Sequence, residues 1–251
     1  MINPGVIFED EEILILHKPA GLVVDPAETV KEETLADILI KQFGIKLFRG
    51  GIVHRLDKDT SGIILIAKTQ NSLENLQNQF KERIIKKEYL ALVHGLIEES
   101  GRVSGAIGRN PGNREKFTVL EGGKEAVTDY EPLERLLFHE SRIEAVFADF
   151  NKIQIRKLKK QRYGEFTLLR CMPKTGRTHQ IRVHLKYTGH PIVSDEKYVG
   201  RKMCRLDKKW CSRMFLHAAK IGFRHPLSGE WKELECPLPE DLKEALKQLI
   251  S

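Results

Sequence analysis

His54-Arg55-Leu56-Asp57-Lys58-Asp59-Thr60-Ser61-Gly62-Ile63-Ile64-Leu65-Ile66-Ala67 sets a charged loop immediately before a continuously apolar run. Ile63 to Ala67 predicts a strand covered on both faces, because a half-exposed strand would alternate polar and apolar residues. Thr60-Ser61-Gly62 supplies the tight entry to it. Asp57 then stands on a loop anchored to a rigid element, with His54 and Arg55 beside it to draw in a phosphate. Taken alone, the same nine residues also read as a solvated turn of mixed charge.

Working outward, further strands are expected at Val6 to Phe8, Ile13 to Leu16, Glu88 to His94, Arg102 to Ile107, Ala126 to Arg135, Arg142 to Phe150, Glu165 to Pro173 and Ile221 to Arg224. Helices are fewer. Thr34 caps one running to Phe43, and Ser72 to Lys87 carries Leu73, Leu76, Phe80 and Ile84 along one stripe. The segment from Gly176 enters a helix that stops at Gly189, and Asp241 to Leu249 closes the chain. Strands and helices do not alternate as a parallel sheet requires, so the fold class is α+β: a mixed, largely antiparallel sheet flanked by helices. At 251 residues the chain suits a single domain over its whole length, lobed about a cleft.

Four other segments give the Asp57 loop company. His17-Lys18-Pro19-Ala20-Gly21-Leu22 follows an apolar strand. Lys87-Glu88-Tyr89-Leu90-Ala91-Leu92-Val93-His94-Gly95 comes next, then Thr175-Gly176-Arg177-Thr178-His179-Gln180-Ile181-Arg182-Val183-His184. Last is Phe215-Leu216-His217-Ala218, leading to Phe223-Arg224-His225-Pro226. In this order, together with HRLDKDTSG, these segments resemble the signature set of the RluA-type pseudouridine synthases over roughly residues 7 to 238.

That resemblance implies a mixed sheet crossed by a cleft, with the Asp57 loop on one wall. It also implies an isomerase that detaches uracil from ribose carbon 1′ and rejoins it through carbon 5. No redox change occurs, so no cofactor is expected. Asp57 would be the carboxylate acting at the sugar, as nucleophile or as base. Arg182 would be its ion-pair partner, since a guanidinium stays charged and can hold a carboxylate through paired hydrogen bonds. Tyr89 would stack on the uracil and help remove the carbon 5 proton, and Leu216 would pack against the base. The target nucleotide must be flipped out of its stack; Arg55 would fill the vacated place, with His54, Arg177 and His179 as backbone or pocket contacts. Taken singly, Arg182 reads as a surface arginine and Tyr89 and Leu216 as core residues.

Composition fits this expectation without naming it. Lys and Arg number 42 against 35 acidic residues, for a net charge of +7 and a pI near 9.1, which favours a polyanionic partner as modestly as in many ordinary enzymes. The densest basic stretch is Arg156-Lys157-Leu158-Lys159-Lys160-Gln161-Arg162-Tyr163, read either as a solvated hairpin tip or as an extension gripping RNA through Arg156, Lys157, Lys159, Lys160 and Arg162. Cys171, Cys204, Cys211 and Cys236 show no CxxC spacing, the N-terminus does not look like a signal peptide, and no apolar run approaches the ~20 residues a bilayer requires. His179 and His184, five positions apart, diverge on strand or helix, so no metal site is expected.

The chain thus reads as a cytoplasmic monomer that binds RNA and no membrane. It is expected to lack the N-terminal RNA-binding domain that several relatives carry. Ile107-Gly108-Arg109-Asn110-Pro111 and Gly123-Lys124-Glu125-Ala126-Val127-Thr128-Asp129-Tyr130 look more like the large-subunit ribosomal RNA branch than the tRNA branch. A non-catalytic RNA-binding protein on the same fold would dispense with Asp57. A carboxylate hydrolase would need a second acid, and Asp59, two residues along an extended loop, points away from the first.

Overall fold

The computed structural model describes residues 4–26, 31–138, 140–160 and 163–249; of residues 140, 141 and 159 it describes the backbone alone. In chain order the elements are β1 (Gly5–Glu9), β2 (Ile13–Lys18), α1 (Leu35–Phe43), β3 (Ser61–Ala67), α2 (Gln70–Lys81), β4 (Lys86–His94), β5 (Gly101–Ser104), β6 (Ile107–Asn110), β7 (Asn113–Val119), β8 (Val127–Leu137), α3 (Glu140–Val146), α4 (Lys152–Lys160), β9 (Glu165–Pro173), α5 (Gln180–Tyr187), α6 (Arg201–Asp207), β10 (Leu216–Arg224), β11 (Trp231–Glu235) and α7 (Glu240–Lys247). The chain forms two compact units, residues 1–88 with 217–237 and residues 89–216 with 238–251. Among the described residues no helix is long and apolar enough to cross a membrane.

In the first unit the strands run in the order β1-β2-β3-β10, with β11 beside β10. Every residue of β3 is buried, as its unbroken apolar run requires. β3 pairs antiparallel with β2, from Ile13 opposite Ala67 to Lys18 opposite Gly62. It pairs in parallel with β10 at Ser61–His217 and Gly62–Ala218. Gly62 has φ +122° and lies so close to β10 that a Cβ there would stand 2.2 Å from the Ala218 carbonyl oxygen, so only glycine fits. α1 starts as expected at a Thr34–Asp37 capping box: Asp37 N–H donates to Thr34 Oγ1, and Thr34 N–H donates to Asp37 Oδ2. α2 is shorter than its stripe suggested, because Arg83 turns left-handed (φ 60°) and Ile84 N–H donates back to the Gln79 carbonyl.

The second unit orders its strands β4-β9-β8-β5 antiparallel, with β6 and β7 as a separate two-stranded sheet. The strand expected over Arg102 to Ile107 is therefore two strands of different sheets, parted near Gly105. The strand expected over Arg142 to Phe150 is helix α3 instead. Ile143 and Phe147 are spaced four apart and both buried, so the apolar period there is that of a helix. The basic stretch read as a hairpin tip or an RNA-gripping extension is, as far as Lys160, the last part of helix α4. Asn151 Oδ1 accepts from Gln154 N–H at its start, and Leu158 is buried with Ile155 half-buried beside it. Phe138, Phe147, Tyr163, Phe166 and Trp210 form the aromatic centre of this core, with Phe166 and Trp210 rings 5.0 Å apart edge to face.

Candidate active site

The Asp57 loop belongs to the first unit and is fastened at both ends. On its entry side, the His54 imidazole accepts a hydrogen bond from Leu65 N–H of β3 at 3.0 Å and packs on Phe80 of α2 at 5.0 Å between ring centres. Burial, with a smaller contribution from the Lys87 charge, pushes the His54 pKa down to about 3, so the ring is a neutral acceptor. At the tip, Thr60 N–H donates to the Asp57 carbonyl and closes a turn. Leu56 is buried, Asp57 half-buried, and Arg55, Lys58 and Asp59 are exposed.

A residue absent from the expected set holds the tip from below. Lys18, at the end of β2, is completely buried, and its ammonium donates to the carbonyls of Pro19 (2.8 Å), Leu22 (2.8 Å) and Lys58 (3.0 Å). The Lys58 carbonyl also accepts from Gly21 N–H at 2.9 Å. The HKPAG-like segment therefore forms a socket for the Asp57 turn, and a buried cation is tolerated there because three carbonyl dipoles replace its water. At the start of β3, Ser61 Oγ donates to His217 Nδ1 while His217 Nε2 donates to the Cys236 carbonyl.

Tyr89, Arg177, His179, Arg182 and Leu216 lie in the second unit. Tyr89 stands on β4 opposite Cys171 of β9 and is half-buried against the core, whereas Leu216 is 3% exposed within it. The helix expected from Gly176 starts four residues later, at Gln180, because the Gln180 side chain ties the preceding turn. Its Oε1 accepts from Thr175 Oγ1 (2.6 Å) and Arg177 N–H (3.0 Å), while its amide donates to the Val127 carbonyl. The helix ends as expected before Gly189, at φ +87°. His179 takes the left-handed conformation (φ 55°) and its Nδ1 lies 2.8 Å from the Tyr198 hydroxyl. His184 is buried elsewhere, between Thr128 Oγ1 and the Gly105 carbonyl, where burial lowers its pKa. Arg177 donates through Nε to the Glu125 carbonyl.

Arg182 is 6% exposed, not a surface arginine. Its Nε and Nη2 donate to Asp195 Oδ2 (2.7 Å) and Oδ1 (2.9 Å), and its guanidinium lies over the Tyr198 ring at 5.1 Å. Neither Asp195 nor Tyr198 is singled out by the motifs. The one signal in the sequence is a Ser194-Asp195 pair directly after the apolar pair Ile192-Val193, which by itself reads as a turn. Of the expected RNA-gripping cations, Arg156, Lys157 and Lys160 are exposed on α4; the Lys159 side chain and Arg162 lie outside the described residues. All four cysteines are free and buried, and burial raises the thiol pKa of Cys171 and Cys211 to about 12.

Set beside known proteins, residues 12–187 match the family model described as RNA pseudouridylate synthase. An RNA pseudouridine synthase of Bacillus subtilis is 38% identical over 97% of this chain and 72% of that protein. The ribosomal large subunit pseudouridine synthase D of Neisseria meningitidis serogroup B is 36% identical over 97% of this chain and 60% of that protein. That of Nitrosomonas europaea is 38% identical over 98% and 64%. The chain thus spans between 60% and 72% of the length of these relatives. Among solved structures, human RNA pseudouridylate synthase domain containing 1 superimposes with a TM-score of 0.71 at 28% identity, covering 95% of this chain and 84% of that one.

Proposed function

The chain belongs to the RNA pseudouridylate synthase family, a family of isomerases, and on that footing we propose that it converts uridines of large-subunit ribosomal RNA to pseudouridine, with Asp57 as the reacting carboxylate. The observation that carries the reading is the Asp57 turn itself. Asp57, half-buried, stands just before a fully buried strand on a turn whose backbone is pinned by Lys18, His54 and the close approach at Gly62. Such fixation is what a group needs if it is to meet a sugar carbon at a reproducible distance.

The bond from uracil nitrogen 1 to ribose carbon 1′ breaks, the base turns, a bond from carbon 5 to carbon 1′ forms, and the carbon 5 proton moves to nitrogen 1. Atoms and electrons balance within the nucleotide, and no group outside the chain is consumed. Asp57 acts at the sugar, and Arg182 serves as the cation of the reaction, its guanidinium charged at any working pH. Tyr89 faces the base and serves the carbon 5 proton transfer, and Leu216 supplies apolar packing. Arg55, exposed on the same loop as Asp57, occupies the gap left by the flipped nucleotide. His54 contributes by fixing that loop, His179 steadies the Tyr198 ring against Arg182, and Arg177 serves as an RNA backbone or pocket contact.

Affinity comes from charge spread over the surface. α4 exposes Lys152, Arg156, Lys157 and Lys160, and a hollow of ≈ 290 Å³ beside it, walled by Leu158, Tyr163, Met203 and Leu206, carries Arg201 and Lys202. These cations suit a phosphate backbone read without regard to sequence. A ribosomal RNA substrate is in keeping with a cytoplasmic enzyme. Pseudouridine mapping across total RNA, with and without the gene, tests the reading: one or a few large-subunit sites should disappear. Loss from tRNA alone would redirect the substrate, and an unchanged map would refute the activity.

A further inference from the structure

Arg182 is held by groups that lie outside the recognised motifs, and we propose that Asp195 is a positioning residue for its guanidinium, acting on catalysis through Arg182. The inference rests on the reading of Arg182 as the cation of the reaction.

Asp195 is fully buried, and both of its oxygens face the same edge of the guanidinium, Nε and Nη2. The carboxylate is itself immobilised by its own turn, since Oδ1 also accepts from Lys197 N–H (3.0 Å) and Tyr198 N–H (3.3 Å). The residue before it, Ser194, sits in the left-handed region at φ 58°, a conformation a serine adopts only when its surroundings impose it. They do so here: Ser194 N–H donates to the buried Asp207 carboxylate at 2.9 Å and its hydroxyl donates to the Cys211 carbonyl. Strained backbone at the neck of a buried acid fixes where its oxygens point.

The face of the guanidinium is set as firmly as its edge. The Tyr198 ring lies under it, and the Tyr198 hydroxyl is anchored in turn by Phe117 N–H at 3.0 Å and by His179 Nδ1. With edge and face both defined, the planar fork has one orientation, and its Nη1 side is directed away from Asp195. A buried arginine–aspartate bridge is by itself compatible with a purely structural purpose. The two purposes differ in one respect: a residue that only orients the guanidinium has no effect once there is no guanidinium to orient.

A double-mutant cycle reads that difference. Asp195→Asn should lower kcat for pseudouridine formation about 30-fold with KM for RNA within about twofold. In an Arg182→Lys background, which keeps a cation but has no fork to grip, the same Asp195→Asn change should cost less than about threefold. An equal loss in both backgrounds, or a wild-type rate for Asp195→Asn alone, overturns the proposal. Should Asp195→Asn fail to fold by circular dichroism, Tyr198→Leu, which removes the ring beneath the guanidinium and leaves the Asp195 turn in place, is judged by the same two criteria. A wild-type protein that forms no pseudouridine would refute the functional reading as well; an active wild type with additive variants refutes the positioning role alone.

Discussion

Lys87 shows how far a single side chain in this protein departs from its behaviour in water. Burial beside the Phe80 ring, 5.7 Å from its ammonium, pulls its pKa from 10.5 to about 8. Below about pH 8 the lysine is charged in folded and unfolded chains alike, and the full cost of burying that charge weighs on the folded state. Between about 8 and 10.5 the unfolded chain still holds a proton that the folded chain has released, so stability should rise with pH across that window. Lys87→Met should stabilise the protein at pH 7 by on the order of 1–3 kcal/mol, and urea melts should show the advantage shrinking above pH 8. A difference that stays constant from pH 7 to 10 would contradict this account of Lys87. His54 works in the opposite range: its folded pKa of about 3 lies below the usual 6.5, so stability is lost as pH falls from about 6.5, where the unfolded ring takes up a proton that the folded ring refuses.

Among the elements, α4 carries the clearest functional expectation. Neutralising Arg156, Lys157 and Lys160 together should weaken RNA binding and flatten the plot of log affinity against log salt by about 2–3 units, since each phosphate contact contributes about 0.7–0.9. An unchanged slope measured by filter binding would reduce α4 to a solvated face. Elements of this kind were also the hardest to read. β3 is legible because a short apolar run rich in isoleucine, entered through Thr60-Ser61-Gly62, favours a buried strand over a helix. The segment holding α3 is not, because Ile143, Val146 and Phe147 satisfy a strand's composition and a helix's spacing at once, and burial decides for the spacing. β7 and β11 carry no strand signal of this kind, because neither holds a fully buried residue and so neither has an apolar face.

Over the whole chain, the fold class and the order of motifs were legible, because both depend on local pattern: strands without regular intervening helices, and five segments in one sequence order. The supports of the site were not. Lys18 meets Lys58 across 40 positions and Asp195 meets Arg182 across 13, contacts that exist only once the sheets have set the distances. A lone lysine before a proline and a lone acid in a turn carry no such message in sequence. In the proposed function, one carboxylate performs the isomerisation while binding rests on charges distributed elsewhere. Purified Asp57→Asn protein, incubated with ribosomal RNA and assayed in parallel for pseudouridine by mass spectrometry and for RNA affinity, tests this most directly. The account predicts that pseudouridine formation is abolished and that Kd stays within about threefold of wild type; pseudouridine formed by the variant at a rate near that of the wild type would contradict it.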